Sequence, residues 1–197
     1  KELEALRYLL IPPEPVDLVQ LEREAQKAHA FAAEQGVLVA GGWGVGVDMA
    51  SWLCGFQNLM VLTHEQPGLV IELLDMIHTW NKRRMAVVLR APVDLYIRRA
   101  WYEGCDFVTP KFYRDVILPR LKTEVELAHE HGALFGYICS SGIDPMLDYY
   151  REAGIDALIG IDPIQGTHTD MSHTKKKIGR DICLWGGVSG AVTVELG

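Results

Sequence analysis

Helical and strand-like patterns alternate along this chain, and that alternation restricts the fold more than any other feature. Between Pro15 and Gln35, Leu18, Leu21, Ala25, Ala28 and Ala32 recur at helical spacing, and Gly36 is placed to end the helix. The apolar run Val37 to Ala40, bounded by Gly41 and Gly42, predicts a buried strand. One or two helical turns follow around Met49 to Leu53. Pro67 opens a long helix reaching about Leu89, with Leu69, Leu73, Ile77 and Trp80 on one face, and Pro92 stops it. Val93 to Ala100 is the next strand. Thr109-Pro110 caps and opens a helix that ends near Gly132, with Pro119 inside it as a source of a kink. Ala133 to Cys139 is strand-like, Asp144-Pro145 opens a helix that Gly154 closes, and Ile155 to Ile161 is a strand ended by Asp162-Pro163. A basic helix from Met171 to Ile178 and a strand from Ile182 to Trp185, followed by Gly186-Gly187, complete the series.

Strands separated by helices in this rhythm imply βαβ units and a parallel sheet. A doubly wound sheet and a (β/α)8 TIM barrel both satisfy it. No strand is followed by a dinucleotide fingerprint, since Gly42-Trp43-Gly44-Val45-Gly46 has the wrong spacing, and this favours the barrel. A complete barrel needs about 250 residues and eight strands. The expectation is therefore an α/β fold given as an incomplete barrel: residues 1–36 as a helical lead-in and residues 37–197 as the central part of one TIM-barrel domain, truncated at both ends.

The chain carries a net charge of −7. A nucleic-acid partner would normally call for a basic face, so none is expected. No apolar stretch is long enough to span a bilayer, so no membrane role is expected either. Cys54, Cys105, Cys139 and Cys183 are scattered, with no CxxC pair, which suits a reducing cytoplasmic setting.

In a barrel, chemistry sits at the C-terminal ends of the strands. That rule selects Arg98, Trp101, Tyr102 and Glu103; Tyr137, Cys139, Ser140 and Ser141; Asp162, Gln165 and His168; and Trp185 with the Gly186 to Gly190 loop, Gly187 included. Cys139 can act as a thiolate nucleophile or zinc ligand, or fill space as a small buried hydrophobe. Tyr137, two residues upstream, is a poor zinc ligand. Asp162 and Glu103 can share acid/base work, though Asp-Pro is also ordinary turn punctuation and the Tyr102 to Asp106 loop can simply be solvated. Of Arg98 and Arg99, alternation sends one inward, where it can bind a carboxylate. His168 sits in a long βα loop, as a site residue or an exposed histidine. Backbone amides of the Gly186 to Gly190 loop can approach a substrate closely. Lys175, Lys176 and Lys177 spread around their helix, as a solvated face does.

Several of these stretches are similar to one family. Val108-Thr109-Pro110-Lys111-Phe112-Tyr113-Arg114-Asp115-Val116-Ile117-Leu118-Pro119 resembles the SP-x-x-F/Y-x-x-F/Y-x-x-P segment of the uroporphyrinogen decarboxylase superfamily, which includes corrinoid- and cobalamin-dependent methyltransferases. Gly154-Ile155-Asp156 through Asp162-Pro163, Lys175 to Gly179, and Ile182-Cys183-Leu184-Trp185-Gly186-Gly187-Val188 resemble its later motifs in order and spacing. The resemblance implies a TIM barrel. It implies, first, a methyltransferase-like enzyme acting on a small methyl donor or a corrinoid-linked substrate, with zinc held by Cys139 and a corrinoid protein as partner. In that branch a His-x-Cys ends the strand where this chain has Tyr137-Ile138-Cys139. The alternatives are a cofactor-free carboxy-lyase acting on a tetrapyrrole, with Arg98 or Arg99 and Asp162 gripping it, and a ligand-binding barrel without catalysis. A small-molecule substrate and a second copy of the chain are the other expected partners.

Overall fold

The computed structural model describes residues 2–11 and 15–196. Five parallel strands form one sheet: β1 (Ala40–Gly44), β2 (Leu95–Arg99), β3 (Leu134–Ile138), β4 (Ala157–Ile161) and β5 (Cys183–Gly186). Each pairs with the strand before and after it in sequence, in the order β1-β2-β3-β4-β5. Sequential parallel order with helical crossovers is the (β/α)8 pattern, and the five strands make an open arc of it.

The helices are α1 (Glu2–Leu6), α2 (Pro15–Gln35), α3 (Val47–Cys54), α4 (Phe56–Glu65), α5 (Pro67–Val88), α6 (Pro110–Phe112), α7 (Leu118–Glu130), α8 (Leu147–Ala153) and α9 (Met171–Ile178). One face of the sheet is covered by helices. There Tyr96, Phe135, Tyr137, Leu121, Met85 and Tyr150 are fully buried between strands and helices. On the other face, Leu95 and Ile97 pack beside Gly136, whose absent side chain leaves room for Ile159.

Local chemistry explains the boundaries. Thr109 Oγ1 accepts the Phe112 N–H at 3.1 Å and caps α6 as its sequence predicts. The chain then widens into a π turn over Tyr113–Ile117, where Leu118 N–H donates to Tyr113 O, five residues back. α7 restarts with Pro119 in its first turn, where no N–H is needed. The expected kink at Pro119 is this wider turn. Asp144 does not cap α8. It begins a 3₁₀ turn (Asp144–Met146), and its carboxylate instead accepts Asp170 N–H at 3.2 Å.

The largest departure from expectation is at β1. The predicted strand was Val37 to Ala40, but pairing with β2 starts at Ala40, and Val37 and Leu38 are exposed. Gly41, Gly42 and Gly44 lie within the strand itself instead of bounding it. A Cβ on Gly42 would lie 1.8 Å from Ile97 O, so the two backbones approach more closely than any side chain permits.

Candidate active site at the strand ends

β2 carries two consecutive arginines toward its C-terminal end, and strand alternation sends them to opposite faces. The Arg98 side chain is 3% exposed, on the helix-covered face, whereas the Arg99 side chain is 30% exposed, on the open face. Arg99 is therefore the arginine that faces the open side, and Arg98 is not.

Arg98 is the hub of a buried polar network. Its Nη2 donates to Glu103 Oε1 at 2.6 Å and its Nη1 to Glu124 Oε2 at 2.7 Å. Tyr137 Oη donates to Glu103 Oε2 at 2.5 Å and accepts from Tyr113 Oη at 3.3 Å. Val47 N–H donates to Glu103 Oε1 at 3.0 Å, which fixes the start of α3. On the far side, Glu124 Oε1 meets His78 Nδ1 at 3.0 Å. Burial opposes the charge on Arg98, but Glu103 and Glu124 outweigh it and hold the guanidinium pKa above its ordinary value. Burial likewise raises the Glu124 carboxyl, yet Arg98 and His78 prevail and lower it. Gly46, at φ +60°, is required here: a Cβ would lie 2.2 Å from Glu103 Oε1 and 2.4 Å from Arg98 Nη2.

On the open face, Arg99 Nε donates to Asp48 Oδ1 at 3.1 Å. Its guanidinium carbon lies 4.4 Å from the Trp52 ring centroid and 4.5 Å from that of Trp101. Cation–π attraction to two indoles holds the group in place. Gly44 makes this possible, since a Cβ there would lie 2.6 Å from Trp52 Cη2 and 3.1 Å from Arg99 Nε. The second oxygen of Asp48 accepts Tyr102 N–H at 3.1 Å. Beside Arg99 is a recess of about 370 Å³, lined by Ala40 to Gly44 of β1 with Ile97, Arg99 and Ile138. Arg99 is the one cation among these lining residues. Among the described residues the Arg99 side chain forms hydrogen bonds through Nε alone, which leaves its terminal nitrogens for an anion.

The other predicted residues are distributed around these two groups. Trp101 and Trp185 are exposed, while Tyr102 is half-buried, its ring 4.8 Å from Phe56 and 5.3 Å from Phe107. Asp162 Oδ1 accepts Ile164 N–H at 2.9 Å and Gln165 N–H at 3.1 Å, closing a turn. What burial it has raises the Asp162 carboxyl, but these donors and the Ser189 hydroxyl outweigh it and lower it. Ser140 O accepts Asp162 N–H at 2.8 Å, and Gly187 N–H donates to Ile161 O at 2.7 Å. His168 is exposed at φ +51°, its carbonyl accepting Asp144 N–H at 3.0 Å. The Thr167 hydroxyl and N–H both bind Asp106, tying this loop to the one after β2.

The family resemblance implies zinc at Cys139, and the residues present do not fit it. Cys139 follows Phe135 and Tyr137 on the helix-covered face and is 0% exposed. Its thiol lies 3.6 Å from Ser141 O, and burial pushes it up to about 12, which keeps it protonated. The histidine position of that motif is Tyr137, already committed to Glu103 and Tyr113. Among the described residues no three His, Cys, Asp or Glu side chains gather as a metal-ligand set. Nor is any described helix long and apolar enough to cross a membrane.

Asp48, Trp52 and Gly44 were not singled out by the sequence reading. The signal for them was the Gly-rich run itself: once it is the strand, Val47 begins the helix at its C-terminal end, and Asp48 and Trp52 fall at the barrel mouth.

Parallel strands in sequential order with helices between them define an α/β barrel, and the charged groups described above lie at the strand ends, where such barrels carry catalysis. Within that class, the chain belongs to the uroporphyrinogen decarboxylase (URO-D) family, which it matches over residues 7–195. Among solved structures it resembles a methyltransferase from Methanosarcina mazei, with a TM-score of 0.65 and 20% sequence identity, over 80% of this chain and 44% of that one. The chain thus spans less than half the length of that structure. No curated protein matches it in sequence.

Proposed function

We propose that the protein is an enzyme of this superfamily that holds a carboxylate-bearing substrate on the open face, with Arg99 as the anchor. Carboxy-lyase chemistry on a tetrapyrrole carboxylate is the reading the geometry supports best. One observation carries it: Arg99, held against Trp52 and Trp101 and tied through Nε to Asp48, is the cation that lines the recess. A guanidinium edge held in one plane matches a planar carboxylate with two parallel hydrogen bonds. The two indoles lie against the guanidinium and restrict its motion, which presents its terminal nitrogens in a fixed orientation. In the reaction the bond from carbon to carboxylate breaks, carbon dioxide leaves, and a proton takes its place on carbon. The part of this chain is to bind and orient.

Methyl transfer to or from a small or corrinoid-linked substrate is the second reading, supported by the description of the structural neighbour. It asks for an activating group on the open face, and Cys139 lies on the other face.

Incubation of the purified protein with uroporphyrinogen, with release of carbon dioxide as the readout, tests the first reading. Turnover should fall at least about tenfold in Arg99→Lys, which keeps the charge and loses the fork. Zinc-dependent methyl transfer that disappears with the metal in Cys139→Ala would favour the second. Ligand-induced melting shifts without either turnover would favour a barrel that only binds.

A further inference from the structure

Asp48 shares one cation with whatever binds at Arg99. Its Oδ1 accepts from Arg99 Nε at 3.1 Å, and its Oδ2 accepts from Tyr102 N–H at 3.1 Å. The carboxyl is wholly shielded from solvent. Asp48 takes the Nε hydrogen and both indoles lie against the guanidinium, so an incoming carboxylate meets the terminal nitrogens beside Asp48. Two carboxylates then contact a single guanidinium.

The charges around Asp48 leave little room for another anion. Among the described residues, Arg99 of β2 is the cation paired with it. Glu103, in the loop after β2, faces it as a second carboxylate and is itself committed to Arg98, Tyr137 and Val47 N–H. Cys139, at the end of β3, also faces Asp48, and its thiol stays protonated and uncharged.

Resting on the reading of Arg99 as the anchor, we infer that Asp48 takes up one proton from solvent when a carboxylate binds at Arg99, so that ligand binding is coupled to protonation of Asp48. The balance is simple: ligand carboxylate, ionised Asp48 and one proton give bound carboxylate and neutral Asp48, with no other bond made or broken. Asp48 thereby acts as a positioning residue. Ionised, it holds Arg99 against the indoles. Neutral, it leaves the guanidinium charge to the ligand. Burial, the largest influence, and the Glu103 carboxylate already raise the Asp48 carboxyl to about 6, against the pull of Tyr102 N–H and Arg99. A second anion on the same guanidinium moves it further in the same direction.

The test uses benzoate, a planar monocarboxylate, titrated into the purified protein with tryptophan fluorescence as the readout. Its affinity should fall at least about tenfold between about pH 5 and about pH 8, the change expected for one coupled proton whose pKa rises by a unit or more on binding. In Asp48→Asn the affinity should be flat across that range. Calorimetry of the wild type in two buffers of different ionisation enthalpy should report net proton uptake near neutral pH, and it stands even if the variant fails to fold. A flat profile in the wild type, an unchanged slope in Asp48→Asn, or zero proton uptake would each overturn the inference while leaving Arg99 as the anchor. Absence of benzoate binding at every pH would remove the anchor itself, and the inference with it.

Discussion

Arg98 and Arg99 are adjacent in one strand and sit in two different environments. Arg98 is sealed behind the sheet, with two carboxylates and a tyrosine network around it. Arg99 lies before the sheet with one carboxylate and two indoles, and among the described residues its side chain forms hydrogen bonds through Nε alone. Buried ion pairs are poor sources of net stability, because desolvation takes back much of the Coulomb attraction, but breaking one leaves a charge that nothing compensates. The Arg98 cluster is therefore a device for fixing geometry. Through Val47 N–H it sets the start of α3, and α3 carries Asp48 and Trp52 to Arg99. The closed side gives its cation two carboxylates, although Arg98 Nε has no partner among the described residues, and the open side gives its cation one.

The largest expected effect comes from opening the closed side. Glu103→Ala leaves Arg98 with Glu124 alone and strips a partner from Tyr137 and from Val47 N–H. Loss of one member of a buried pair costs about 3–5 kcal/mol, so chemical denaturation should show the variant at the edge of folding. Gly46→Ala comes next. Its Cβ meets Glu103 and Arg98 at φ +60°, and left-handed strain of about 1–2 kcal/mol adds to overpacking of about 1–3 kcal/mol. Gly36→Ala is the control, because φ there is +65° with no atom within 4 Å of the Cβ, so strain alone acts. Equal losses at the two glycines would mean that the network does not impose Gly46.

The same two faces explain what the sequence disclosed and what it withheld. The α/β alternation, the extent of α9 and the Thr109 cap follow from periodicity and side-chain chemistry, which act locally. The face on which each strand residue lies does not. Along β2, Tyr96 and Arg98 share one side and Leu95, Ile97 and Arg99 the other, so both sides carry apolar residues and neither reads as solvent. Cys139 suffers the same ambiguity. It lies on the side of Phe135 and Tyr137, where pairing with helices buries it, and no pattern in Leu134 to Cys139 distinguishes that from the open side. β1 was misplaced because glycine marks both a turn and a close approach of backbones, and only the partner strand separates the two.

Asp48 gives a pH signature that distinguishes the faces. Its carboxyl is raised from 3.8 to about 6, so the folded protein holds this proton more tightly than the unfolded chain does. Stability owed to Asp48 is therefore greatest at low pH and falls as pH rises from about 4 to about 6, by up to about 3 kcal/mol. Glu124, Asp106 and Asp162, all lowered, act in the opposite sense and lose stabilisation on acidification. Asp48→Asn removes only the first contribution. Relative to wild type it should gain stability by about 2–3 kcal/mol between about pH 4 and about pH 7, measured as the change in urea midpoint times slope. A pH-independent difference would mean that folding does not raise the Asp48 carboxyl, and a difference of opposite sign would place Asp48 with Glu124.

The smallest expected effect belongs to Arg99→Ala measured near pH 5, and its value is in comparison with Arg98→Ala under the same conditions. Below its raised pKa, Asp48 is largely neutral, so loss of Arg99 strands no buried charge. What disappears is the contact with Trp52 and Trp101, worth about 1 kcal/mol in all for exposed cation–π pairs. Near pH 8 the same variant should cost more, because Asp48 then either loses its counter-charge or must take a proton from solvent. Arg98→Ala has no such dependence on Asp48. It leaves Glu103 and Glu124 buried without their shared cation, at a cost of about 3–5 kcal/mol. Two identical substitutions one residue apart should therefore differ by about 2–4 kcal/mol at acid pH and draw closer as pH rises. If they cost the same near pH 5, Arg99 belongs to the closed architecture of the sheet, and the open face has no charge to spare for a ligand.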